Sequence, residues 1–283
     1  IAQLSEKELL SIMESYMGGN AFKVVEEHHK GKTVKDLAEN FVLYGALAEI
    51  YAKKNGFNAG LGGSMHTFFK PFGSMPNNAI VGGSGTIAVG AALYKKINRK
   101  KGIVIANIGD GSLARGPVYE ALVLASMDQY TTLWDDNPGY PPFLVNVFNN
   151  LYAMGGQPSG ETMGYGIAAR MGAGINQNSM HTERVDGFNP LAVADATARK
   201  KALLLEGKGP AMLDTITYRY SGHSPSDAMT YRTKEELDAF RNQDPIEAYG
   251  QYLVKNKIAS ASVLESYDAL LEEKMRKTLE ITV

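Results

Sequence analysis

Three short apolar runs restrict this 283-residue chain more than any other feature: GIVIANI (102–108), FLVNVFNN (143–150) and GPAMLDTITYR (209–219). GIVIANI is continuously apolar and reads as a strand buried on both faces of a parallel sheet. FLVNVFNN reads as a second strand and GPAMLDTITYR as a third. Around them lie segments of helical spacing: GTIAVGAALYKKI (85–97), GPVYEALVLASMD (116–128) and NPLAVADATARKKALLLEG (189–207). Strands that alternate with helices call for right-handed crossovers. The expected class is α/β, with a doubly wound, mostly parallel sheet flanked by helices.

Helical extensions are expected at both ends of one domain spanning 1–283. Residues 1–56 read as N-terminal helices. SEKELLSIMESYM opens on a Ser5–Glu8 capping box, and the 34–56 helix runs to Gly56. Residues 57–220 form the α/β core, whose first part, 57–90, is rich in glycine, proline and asparagine and reads as loop. Residues 221–283 hold a polar loop, SGHSPSDAMTYRT, and then two or three helices. The first residue is Ile1, so a natural N-terminus is expected to be missing and the chain to be a fragment.

Composition narrows the chemistry by exclusion. The chain has no cysteine, which removes disulfides, thiolate metal sites and a cysteine nucleophile. Its formal net charge of −1 offers no attraction for nucleic acid or an anionic membrane. No apolar run reaches membrane-spanning length and no secretion signal opens the chain, so the expected location is cytoplasmic.

An open parallel sheet aims the carboxyl ends of its strands at a ligand crevice. Asp110, between Gly109 and Gly111, follows the first run, and Asn150 ends the second. A carboxylate and an amide oxygen at one sheet edge suit Mg²⁺, which takes few protein ligands and completes its octahedron with phosphate and water. The flanking glycines let backbone approach a diphosphate, and the next helix turns its N-terminus to anions. Two other readings stand beside this one. Gly-Asp-Gly can be a plain turn. Alternatively GSGTIA (83–88), with Asp110 standing 22 residues after Ala88, can be a dinucleotide fingerprint with a ribose-binding acid. GKT (31–33) is no Walker loop, because Glu26 stands where that motif needs glycine. His223, with Arg219, Ser224 and Asp227 around it, lies in a loop too polar for a core and suits an anionic ligand or a proton transfer. His66 has a weaker claim of the same kind, and His28 and His29 are expected to be solvated.

The order of GLGGSMHTFF, NNAIVGGSGTIAVGAALYKK, IGDGSLARGPVYEAL, FNNLYAMGG, RVDGFNPLAVADA and TYRYSGHSPSDAMTYRTKEEL resembles that of E1 α subunits of thiamine-diphosphate-dependent 2-oxoacid dehydrogenases, the pyruvate, branched-chain and acetoin types. The resemblance covers residues 48–248. It implies a thiamine-diphosphate-binding fold of the diphosphate type, with thiamine diphosphate and Mg²⁺ as cofactors. Mg²⁺ ligation would fall to Asp110, Asn150 and the Tyr152 carbonyl, and diphosphate contacts to Gly109, Gly111, Ser112 and Arg219. The main chain at Ala79 and Val81 would face the aminopyrimidine. His223 would sit over the diphosphate and the reacting centre as the catalytic residue.

The implied activity is oxidative decarboxylation of a small 2-oxoacid, or conversion of acetoin, with acyl transfer to a lipoyl group. The implied partners are an E1 β subunit or fused β region, which supplies the activating glutamate in an α2β2-like assembly, and a lipoyl-bearing E2 acyltransferase. Three departures stand out. The 37 residues from 112 to 148 exceed the family spacing by about ten, with TTLWDDNPGYP read as an inserted surface loop. A segment before residue 1 that contacts cofactor in the family is absent, and Phe148 replaces a glutamate before Asn149. The alternatives are a transketolase-like half-enzyme and an NAD-binding dehydrogenase.

Overall fold

All three apolar runs form strands, and a fourth strand that the sequence did not suggest joins them. The computed structural model describes residues 1–283. In chain order its elements are α1 (Glu6–Ser15), α2 (Asn20–His28), α3 (Val34–Ile50), α4 (Gly83–Ile97), β1 (Val104–Gly109), α5 (Asp110–Leu113), α6 (Gly116–Ala125), β2 (Phe143–Asn149), α7 (Ala169–Ile175), β3 (His181–Asp186), α8 (Pro190–Leu205), β4 (Ala211–Ile216), α9 (Lys234–Arg241), α10 (Pro245–Lys255) and α11 (Ala261–Thr282). They fall into two compact units, residues 79–255 and residues 1–78 with 256–283. No helix is long and apolar enough to cross a membrane.

The 79–255 unit is an α/β layer structure. Its sheet runs β1-β2-β4-β3 and every pairing is parallel. Phe143, Val145 and Val147 of β2 pack with Met212 of β4 against helix residues Val89, Val118, Ala121 and Met171. Leu144 of β2 and Ala211 and Leu213 of β4 face the other way, onto Ala196 and Leu204 of α8. Helices therefore pack on both faces of the two central strands, although the α8 face of β2 opens past Leu144, where Asn146 is half-buried and Phe148 exposed.

The edges behave differently. β1 was expected to be buried on both faces, but Ile105 is 42 % exposed and Asn107 lies open. Its second face carries a polar ladder instead: Asn146 Nδ2 donates to Asn107 Oδ1 at 3.0 Å, and Thr215 Oγ1 donates to Asn146 Oδ1 at 2.7 Å. The unexpected strand, β3, reads HTERVD and pairs only with β4. Val185 is its sole buried residue, and its charges are answered by neighbours. Arg199 of α8 grips Glu183 through two hydrogen bonds of 2.6 and 2.8 Å, with Lys200 at 3.0 Å, and these bonds hold the Glu183 carboxyl down at about 2. Charged side chains on an edge strand are a common guard against edge-to-edge pairing.

The segment after α6 that reads in sequence as a surface loop is tied down. Lys96, at the end of α4, donates to the Pro138 carbonyl at 2.7 Å and to Asn137 Oδ1 at 3.2 Å. Asn137 Nδ2 returns a bond to the Lys96 carbonyl at 2.7 Å, and Trp134 stacks on Tyr130.

In the other unit, Leu9, Met13, Phe22 and Phe41 are buried together, and the Phe57 and Phe69 rings lie 4.4 Å apart, tilted by 31°. The capping box forms as expected: Ser5 Oγ accepts from the Glu8 amide, and the Glu8 carboxylate accepts from the Ser5 amide at 2.8 Å. α3 stops at Ile50, six residues short of Gly56. The chain folds back there because Glu49, wholly buried, gathers three loop amides: Asn58 at 2.7 Å, Gly60 at 2.9 Å, and Gly62. His28 is exposed, but His29 is half-buried, and its pKa is lowered by burial and then by neighbouring cations.

Glu49→Ala leaves three amides without their acceptor, each worth roughly 1–3 kcal/mol when buried. We expect a loss of about 3 kcal/mol or more in urea unfolding. A change below about 1 kcal/mol would show that the loop does not depend on this carboxylate.

Candidate functional site

The parallel register brings three strand ends to one edge. Gly109 of β1 lies opposite Phe148 of β2, and Phe148 opposite Thr215 of β4. Asp110, the residue after β1, begins the single turn of α5 and is 2 % exposed. Its Oδ1 accepts from the Gly111 amide at 2.8 Å, whereas Oδ2 is buried with no partner. Burial pushes the Asp110 carboxyl up from its ordinary 3.8 to about 6, against the opposing pull of the Gly111 and Leu151 amides and the Arg219 guanidinium.

Apart from the Gly111 amide, the groups that oppose burial come from the other two strand ends. Past β2, Asn150 Oδ1 accepts from the Tyr152 amide at 3.1 Å. Between them Leu151 adopts φ +70°, a left-handed conformation rare outside glycine. Past β4, Arg219 Nη1 donates to the Ala153 carbonyl at 3.0 Å. Gly111 is required here, because a Cβ at that position would lie 2.8 Å from Ala153 Cβ. A Cβ at Gly109 would meet nothing within 4 Å. Beside Asp110 a cavity of about 190 Å³ opens, lined by Asn149, Leu151, Gln157, Ser159 and Tyr165 among others.

The donors fit a hard cation. One buried carboxylate oxygen has no partner, and the adjoining strand end carries an amide oxygen, Asn150 Oδ1. No cluster of three or more histidine, aspartate or glutamate side chains competes for an ion elsewhere. The dinucleotide reading loses its footing, since residues 79–82 are bends and turns and no strand precedes GSGTIA. Gly85 instead lies where α4 packs on α6, and an added Cβ would make an ordinary contact with Ala121 Cβ at 3.4 Å.

A model of the family described as "Dehydrogenase E1 component" matches residues 4–282. The chain belongs to the dehydrogenase E1 component family. It is 35% identical over 237 residues to "Pyruvate dehydrogenase E1 component subunit alpha, mitochondrial" of Dictyostelium discoideum, a match that covers 82% of this chain and 57% of that protein. The protein of the same name from Sminthopsis macroura is 34% identical over 83% of this chain and 59% of its own length. "Pyruvate dehydrogenase E1 component subunit alpha" of Rickettsia conorii is 29% identical, covering 83% of this chain and 68% of itself. The chain thus spans somewhat more than half the length of the first two.

Among the residues singled out in this E1-family sequence, Asp110, Gly111, Arg219 and the 150–153 segment meet at one point. Ser112 is half-buried in α5. Ala79 and Val81 stand exposed in the turn before α4, and the His223 imidazole is exposed in its loop. That loop is organised by Asp227, already noted beside His223, and by Arg232 and Glu236, which the sequence reading passed over. Asp227 accepts from the His223 and Met229 amides and from the Tyr231 hydroxyl, at 2.6–2.8 Å, which holds its carboxyl at about 2. Arg232, 8 % exposed, lies 5.1–5.5 Å from the ring centres of Tyr152, Tyr218 and Tyr231 and donates to the carbonyls of Arg219 and Ser221. Glu236 accepts from both Tyr152 and Tyr218 hydroxyls, at 2.7 and 2.8 Å, and the Tyr152 phenol is pushed up to about 12 by burial and by that glutamate.

The raised Asp110 pKa has a definite sign. Between pH 3.8 and about 6 the folded state holds a proton that the unfolded chain has released, so stability falls as pH rises through that window. The upper bound on the fall is roughly 3 kcal/mol. Asp110→Asn, ligand-free, should lack this dependence and be more stable than the unaltered protein at pH 7 in urea unfolding. A variant less stable at pH 7 would contradict the pKa assignment.

Proposed function

We propose that this chain is the diphosphate-binding, α-type part of a thiamine-diphosphate-dependent 2-oxoacid dehydrogenase E1. The observation that carries the reading is the buried, unpartnered Oδ2 of Asp110 at the edge where β1, β2 and β4 end. The family membership and the relatives' names support the same conclusion. Pyruvate is the leading substrate because those relatives are named for it; branched-chain 2-oxoacids and acetoin are the competitors.

In this reading Asp110 Oδ2, Asn150 Oδ1 and the Tyr152 carbonyl hold Mg²⁺. The Ser112 amide in α5 and the Arg219 guanidinium face the diphosphate, with Gly111, whose own amide is held by Asp110 Oδ1, and Gly109 letting the backbone come close. Thiamine diphosphate supplies, when bound, the nucleophilic carbon and the electron sink for releasing CO₂ from a 2-oxoacid. Ala79 and Val81 offer main-chain groups to its aminopyrimidine. His223, on a loop anchored by Arg232, offers a titratable imidazole to the reacting centre. The charge of bound Mg²⁺ favours ionised Asp110, so cofactor binding offsets the cost of burying that acid.

Activation requires an acid that this site lacks, for no glutamate lines the cavity. We assign that role to a β subunit or fused β region, with a lipoyl-bearing E2 as the acyl acceptor. An exposed apolar strip supports such a partner: Ile80, Val81, Ile87 and Tyr94 are 52–71 % exposed along and before α4.

Calorimetric titration should show binding of Mg²⁺-thiamine diphosphate and none of NAD⁺. The chain alone should release no CO₂ from pyruvate, and the αβ assembly should. Asp110→Ala should assemble with its partner yet lose cofactor affinity about 100-fold, in line with the loss of a charged ligand. Preference for NAD⁺, or turnover by the isolated chain, would overturn the reading.

A further inference from the structure

Asp214, in the middle of β4, is completely buried, and nothing in the function proposed above employs it. A carboxylate so placed needs its lone pairs answered. Its Oδ1 accepts from Asn149 Nδ2 at 2.8 Å. Its Oδ2 accepts from Arg184 Nε at 2.8 Å and from the Ala169 amide at 3.3 Å. The donors all lead to the cavity beside Asp110. Asn149 lines that cavity directly, and Arg184 Nη2 donates at 3.1 Å to the carbonyl of Gly166, another lining residue. Ala169 opens α7, three residues further on.

The chemistry of this contact orients Asn149. A carboxylate only accepts, so the end of the amide that meets Asp214 is its NH2, and the carbonyl oxygen is the end left for the cavity. In the sheet Asp214 lies opposite Val147, two residues behind Asn149, so the carboxylate holds the amide from beneath. We infer that Asp214 is a positioning residue for the Asp110 site, holding the Asn149 amide with its oxygen toward a bound cation. This rests on the cavity being the Mg²⁺-diphosphate site. Without the carboxylate, the amide turns freely and presents N–H groups where a cation must sit.

The test is calorimetric titration of the full-length protein with Mg²⁺-thiamine diphosphate, each variant held well below its own unfolding midpoint. Asp214→Asn should weaken binding about tenfold to a hundredfold, the usual effect of removing a group that orients a ligand, and should raise the Mg²⁺ needed for half-saturation. Asn149→Ala should lose affinity comparably, and the double variant should be no worse than Asn149→Ala alone, since both act through one amide. Unchanged affinity in folded Asp214→Asn, or additive losses in the double variant, would overturn the inference. If Asp214→Asn does not fold, Asn149→Ala decides: a tenfold loss supports the inference and native affinity overturns it. Failure of the unaltered protein to bind at all is a different result, which removes the site reading and this inference with it.

Discussion

Everything at the candidate site depends on parallel pairing of β1, β2 and β4 in a register that ends them level. Because the three strands run the same way, three separate loops leave the sheet at one edge. Asp110, the 150–153 segment and Arg219 are far apart in sequence, and they meet for that reason alone. The register in turn depends on β2 and β4 being buried on both sides. A one-residue slip would carry Val145 and Val147 to the α8 face and Leu144 to the opposite one, disturbing both core clusters at once. The core therefore holds the functional edge in place.

The site carries costs that the rest of the unit absorbs. Asp110 is kept nearly dry with one oxygen unanswered, and Leu151 is held in a left-handed conformation. Such features persist only where the surroundings over-determine them. Here the surroundings are the packed central strands, the Arg219–Ala153 bond and the tyrosine cage around Arg232. The cage also joins two parts of the site. Tyr152 belongs to the segment beside Asp110, Tyr231 to the far end of the His223 loop, and both enclose one guanidinium. A change in the loop is thereby felt at the segment that carries the proposed metal carbonyl.

What the sequence revealed follows from where each residue's partners lie. β2 and β4 were legible because each is a short, mostly apolar run standing between helical segments. β3 was not, since HTERVD earns its place through Arg199 and Lys200 of α8 and through backbone pairing along one side. β1 was legible as a strand but not as an edge, because which face lacks a helix is decided by α8 lying elsewhere. Asp110 and Asn150 could be paired on paper, as both close apolar runs. Glu49 could not, for inside α3 it looks like any helical acid until the 58–62 amides close on it. Arg232 and Glu236 have partners as many as 84 residues away, and no local pattern announces them.

The two buried aspartates of this unit show how position in a fold decides what an acid does. Asp214 lies mid-strand, where side chains from β2 and β3 reach it, and each of its oxygens is hydrogen-bonded. Asp110 lies one residue past a strand end, where only backbone amides and a distant guanidinium are at hand, and one oxygen stays free. The first arrangement makes a rigid anchor, already satisfied and with no capacity left for a ligand. The second is poised for a positive charge that the protein does not itself supply. Both acids interrupt or end apolar runs of similar composition, so their difference lies in topology: the sheet surrounds one with donors and leaves the other at its rim.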